Sequence, residues 1–82
     1  MALYSATTKL KPQDALEKAI TYFGPGGLGL EVCEQSPCSV DFTGGGGHVT
    51  VIASSEGQGT TVELETREWD YQVKEFMRSI AR

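Results

Sequence analysis

Four glycines in a row, Gly44 to Gly47, stand between two segments that alternate apolar and polar residues, "CSVDF" and "HVTVIA". That arrangement constrains the chain more than any other feature. With Gly45 and Gly46 at the tip of a hairpin, Thr43 faces His48, Phe42 faces Val49, Val40 faces Val51 and Cys38 faces Ala53, so every one of these apolar residues lands on one side. A two-residue hairpin loop of the favoured hand needs positive φ at both central positions, which Gly-Gly supplies at no steric cost. A phosphate cradle would instead need a following helix to present its N–H groups, and here a second alternating segment follows. The run is read as a turn, not a nucleotide loop.

The same alternation continues outward. Leu28, Leu30 and Val32 precede the hairpin, separated from it by "EQSP", and Val62 and Leu64 follow it. Four successive strands joined by short turns form an antiparallel meander. Its second face is polar, carrying Glu31, Cys33, Ser39, Asp41, Thr43, His48, Thr50, Thr61, Glu63 and Glu65, with Ile52 the one large apolar exception. Tyr4, Ala6, Thr8 and Leu10 suggest a further strand at the front. Its partner is open: a parallel neighbour near Leu28, as a right-handed crossover unit, or the last strand.

Two helices frame the meander. Pro12 suits a first helical turn, and Leu16, Ala19, Ile20 and Phe23 share one face. Gly24 and Pro25 stop that helix, Gly24 being expected in the left-handed cap conformation. In "GPGGLG" the glycines follow a helix C-terminus, where the dipole repels anions, so this loop is no phosphate site either. Near the end, Trp69, Val73, Phe76 and Ile80 recur at spacings of four, three and four with Met77 beside them, which predicts a helix sealing the apolar side of the sheet. The expected fold is α+β: a two-layer sandwich, β-α-β-β-β-β-α, with both helices on one face of the antiparallel meander. The 82 residues, 1–82, make a single small domain, since so short a chain cannot support two cores.

Composition narrows function by exclusion. A formal net charge of −4 disfavours nonspecific binding to nucleic acid, which depends on cations displacing phosphate counterions. No apolar run approaches the ~20 residues of a bilayer crossing, and "MALYSATTKLK" lacks the basic and apolar regions of a secretory signal, so a cytoplasmic location is the default expectation. No cofactor motif is present. If Val32 faces Val40 and Leu30 faces Phe42, Cys33 and Cys38 point to opposite sides of the sheet, which argues against a disulfide. Cys38 is then a small core residue and Cys33 a free thiol.

The order of elements, carried by "YSATTKLKPQDALEKAITYF" at the front and "VELETREWDYQVKEFMRSIAR" at the back, about half the chain, resembles a shortened helix-grip fold of START/Bet v 1-like proteins. It rests on element order, with no diagnostic motif, and a TATA-box-binding-protein-like or other small α+β sandwich fits the same pattern. The helix-grip resemblance implies a small hydrophobic ligand held beneath the C-terminal helix, where Trp69, Tyr71 and Phe76 are the candidate lining residues.

Three functional classes fit these residues. The leading one is a noncatalytic domain acting through protein contacts, with a partner protein or with itself as a homodimer joined at an exposed sheet edge. The second is a miniature hydrophobic-ligand binder. In the third, a hydrolase or isomerase, His48 acts as a general base with Glu65 or Asp41; a next hairpin turning at Glu56-Gly57 sets Glu65 directly across from His48. The plainer reading of His48 is a surface residue in a cross-strand pair. The same register lines Glu31, Asp41, Thr50 and Glu63 across the open face. The carboxylates Glu31, Asp41 and Glu63 are there the candidate oxygen ligands for a weakly held divalent ion, or a docking surface for a basic partner.

Overall fold

A computed structural model describes residues 2–81. Its elements follow the expected order: β1 (Ala2–Thr8), α1 (Pro12–Phe23), β2 (Glu31–Ser36), β3 (Ser39–Gly44), β4 (Gly47–Glu56), β5 (Gly59–Arg67) and α2 (Asp70–Ile80). The five strands form one antiparallel sheet in the order β1-β5-β4-β3-β2. Both helices pack on the sheet. The open question of the first strand is resolved in favour of the last: Tyr4 pairs with Leu64 and Ala6 with Val62. Chain order thus runs β2 to β5 as a meander, and β1 closes the far side.

The glycine hairpin has the register read from its alternation, with Thr43 opposite His48, Phe42 opposite Val49 and Val40 opposite Val51. Gly45 and Gly46 have φ of 59° and 81°, the paired left-handed values of this tight turn. Gly47 is required for a different reason: a Cβ there would collide with the carbonyl of Arg67 and stand 2.7 Å from Cβ of Glu68. Glu68 itself takes φ 76°, a left-handed value unusual for a residue with a side chain, and forms the sharp corner between β5 and α2.

Two other registers differ from the sequence reading, the β4–β5 ladder by a step of two that keeps apolar residues on their side. In the β2–β3 pair, Val32 faces Phe42, not Val40, and Leu30 lies beside Gly44. A bulge at Cys33 then shifts the ladder, so Glu34 faces Asp41 and Ser36 faces Ser39. This moves Cys38 from the expected core position to an exposed site in the Pro37–Cys38 turn, and Cys33 is exposed as well; both thiols are free. In the β4–β5 pair the tip is Gly57–Gln58, with Glu56 opposite Gly59. Gly24 also departs from expectation: its φ is −72°, although its N–H still bonds the Ile20 carbonyl at 2.9 Å.

The core lies between sheet and helices. Val40, Phe42, Val49, Val51, Val62 and Leu64 meet Leu16, Ala19 and Phe23 of α1 and Val73, Phe76 and Ile80 of α2, all buried. Phe23 is the hub, its ring centroid 5.5 Å from that of Phe42 and 5.4 Å from that of Phe76. Inward-facing threonines at the margins are satisfied locally: Thr60 donates to the Leu10 carbonyl at 2.6 Å and Thr66 to the His48 carbonyl at 3.0 Å. Among the described residues no buried side-chain polar atom lacks a partner.

Candidate binding surfaces

Strand pairing places the open-face residues in rows. The first runs Glu31, Thr43, His48, Arg67; the second Glu34, Asp41, Thr50, Glu65, Leu3; the third Ser36, Ser39, Ile52, Glu63, Ser5. His48 therefore stands between Thr43 and Arg67, not across from Glu65, which faces Thr50. Asp41 flanks the same threonine from the other side. A carboxylate placed to share a proton with His48 across the ladder is replaced by a guanidinium, and the His48–Glu65 couple expected from the earlier register is not formed by direct pairing.

Glu31, Asp41 and Glu63 fall in three separate rows. Successive rows lie two residues apart along a strand, about 7 Å. Among the described residues no group of three His, Cys, Asp or Glu side chains is placed to hold a metal ion. The neighbour that Asp41 does have is Glu34, an acid the sequence reading did not single out. Its position depends on the Cys33 bulge, which has no signature in the residues themselves.

The three aromatic candidates are likewise dispersed. Phe76 is core, with 1% of its surface exposed, whereas Tyr71 on the outer side of α2 is 70% exposed. Trp69 caps α2 and lies over the glycine hairpin: its indole N–H donates to the Gly44 carbonyl at 3.0 Å, and a Cβ on Gly45 would stand 2.8 Å from its ring. The glycine run is thus the seat of a tryptophan as well as a turn. Beneath α2 the space is filled by Val73, Phe76 and Ile80.

An open groove does exist elsewhere, of about 700 Å³, between α1 and α2 on the side away from the sheet. Leu10, Tyr22 and Leu28 supply apolar lining, Phe76 contributes its edge, and Asp14, Lys18 and Ser79 stand at the margins. The phenol of Tyr22 titrates above its ordinary range, first because of its partial burial and then because of the nearby Glu75 carboxylate and Tyr71. Leu10 and Leu28 lie outside both helical stripes. The sequence reading set Leu10 and Leu28 in the alternation of two strands, but β1 ends at Thr8 and β2 begins at Glu31, which leaves both leucines in the loops that flank α1.

At the far edge, Tyr4 donates its hydroxyl to Asp70 at 2.7 Å, and Lys74 lies 5.7 Å from the centre of the Tyr4 ring. The hydrogen bond to Asp70 raises the Tyr4 phenol above its ordinary value, aided by desolvation and by the charge of the same carboxylate. These contacts tie α2 to β1.

Compared with protein-family models, with curated proteins and with solved structures, the chain has no match. No helix among the described residues is long and apolar enough to cross a membrane.

Proposed function

We propose that this is a noncatalytic domain that holds a protein partner on the open face of its sheet, the partner offering basic side chains around an apolar anchor. The observation that carries this reading is the setting of Ile52, 40% exposed in the middle of that face. Ile52 pairs with Ser39 on one side and Glu63 on the other, and the adjoining row contains Glu34, Asp41 and Glu65. The cation on this part of the face is Arg67, in the row of His48. An exposed β-branched residue with Glu63 beside it and Asp41 and Glu65 diagonal to it suits a contact whose centre is desolvated and whose rim steers by charge. The same charge disfavours a phosphate backbone. Two free, exposed thiols are compatible with a reducing, cytoplasmic setting.

The test is a titration of isotopically labelled protein with a lysine-rich peptide bearing a central leucine, followed by amide NMR. Shifts should centre on Thr50, Ile52, Glu63 and Glu65 and diminish with added salt. The double reversal E63K/E65K should weaken binding about tenfold, since like charges brought together at an interface are strongly disfavoured. Shifts confined to α1 and α2, or unaffected by the reversal, would refute the docking face.

A second reading retains the ligand binding implied by the helix-grip resemblance but moves it outside the core, to the groove between α1 and α2. Its volume of about 700 Å³ lies within the range of small-molecule sites, ~300–1,000 Å³. Leu28→Asp would place a carboxylate in the lining. An apolar fluorescent probe that binds the native protein and loses about tenfold or more in affinity for this variant would favour the groove, since burying a charge there is costly; equal binding to both proteins would eliminate it.

A further inference from the structure

The two edges of the sheet are defended unequally. β2 carries Glu31 and Glu34, is broken by the bulge at Cys33, and runs into Pro37. Charges, bulges and prolines are the devices by which an edge strand avoids pairing with other chains. β1, "ALYSATT", has none of them. It is uncharged, and its seven residues pair with β5 in unbroken register. Among the described residues no strand lies beside its outer row of N–H and C=O groups. Leu3, on the open face of this strand, is 72% exposed.

We infer that β1 pairs antiparallel with β1 of a second copy of the chain, about a two-fold axis through Ser5, joining the two sheets into one. Ser5 then meets the partner's Ser5, Leu3 lies across from the partner's Thr7, and all seven residues of Ala2–Thr8 find an opposite number. A two-fold contact is isologous, so the strand must be complementary to itself, and an uncharged strand satisfies that condition where β2 would set Glu31 and Glu34 against their own kind. The nearest acids of β1's neighbour, Glu63 and Glu65, do not oppose the contact. Across the new seam Glu63 lies three strand spacings from its counterpart, about 14 Å, and Glu65, displaced along the strand as well, about 20 Å, both beyond the ~8 Å screening length of physiological salt. On the helix side Tyr4 holds one acid, Asp70, and one base, Lys74, so the flank above the seam presents both signs to its copy. This inference is independent of the docking face, which the pairing leaves open.

One strand and one helix flank per copy make a small contact, of the class below about 1,200 Å² that associates weakly. The doubled species should therefore grow with concentration. Sedimentation velocity over a dilution series should show mass rising from one chain to two, and hydrogen exchange should show protection of β1 amides that increases with concentration while β2 amides do not change. Ser5→Lys places two ammonium groups face to face and should weaken the dimer about threefold to fivefold. Ser5→Glu should act likewise, and mixing the two variants should restore association, which a folding defect in either variant cannot do. A single-chain mass at every concentration, protection appearing at β2, or a dimer insensitive to Ser5→Lys with no gain on mixing would overturn the inference.

Discussion

The two hairpins that share β3 are built differently. At the glycine end the ladder is held from three directions: Phe42 and Val49 pair on the core face, Gly45 and Gly46 adopt left-handed φ, and Trp69 lies over the tip with its indole on the Gly44 carbonyl. At the other end, β2 is exposed along its whole length. The turn there is held by an exposed Ser36–Ser39 hydroxyl pair at 2.8 Å and by the Ala53 N–H on the Cys38 carbonyl at 2.9 Å. One hairpin is part of the core, and the other is attached to it. Substitutions of matched size should therefore have unequal effects at the two ends.

The largest difference is expected at Gly47. Gly47→Ala drives a methyl into the Arg67 carbonyl and the Glu68 corner, and because both are backbone-anchored the turn must open. Overpacking of this kind costs about 1–3 kcal/mol, to be read as a lowered urea midpoint at constant slope. The matched change at the other turn, Ser36→Ala, removes only an exposed hydroxyl and should stay within about 0.5 kcal/mol. Equal losses at the two turns would break the contrast. Trp69→Phe should come next. It keeps an aromatic ring near the glycines but deletes the donor to the Gly44 carbonyl, a net effect of about 0.5–1.5 kcal/mol in the same measurement.

The contrast also accounts for what could be read in the residues beforehand. Element order, the shared face of Val40, Phe42, Val49 and Val51, and the docking of Val73, Phe76 and Ile80 all follow from periodicity, and the glycine register follows from turn chemistry as well. The β4–β5 register differs by two residues from the one expected, and Val32 lies across from Phe42, two residues from its expected partner Val40. A slip of two returns every side chain to its own face, so alternation determines the parity of a register and not its value. Only the turn decides between registers of equal parity. Gly57, with φ 63°, occupies the first central position of its turn, and placing it second sends Glu65 to His48 when it belongs to Thr50. The candidate site depended on that single step. The bulge at Cys33 lay further out of reach, since β2 is exposed throughout and no buried pattern marks the extra residue. The groove between the helices depends on where Leu10 and Leu28 lie after the core is filled, a packing outcome with no periodic signal.

The smallest expected effect isolates the bulge. By displacing the ladder, Cys33 sets Glu34 opposite Asp41, two acids directly across from one another on an exposed pair of strands. Like charges in that position are destabilising, and opposite charges contribute about 0.2–1 kcal/mol. Glu34→Lys should therefore raise the urea midpoint slightly at low ionic strength, by an amount that fades as salt screens the pair. Had β2 kept the register in which Val32 faces Val40, Glu34 would stand opposite Cys38 and the same lysine would gain nothing from Asp41. A gain that disappears when Asp41 is replaced by Asn ties the effect to this pair. A gain that persists in the Asp41→Asn background would mean that the lysine acts on the net acidity of the whole face, and the bulged register would lose its support.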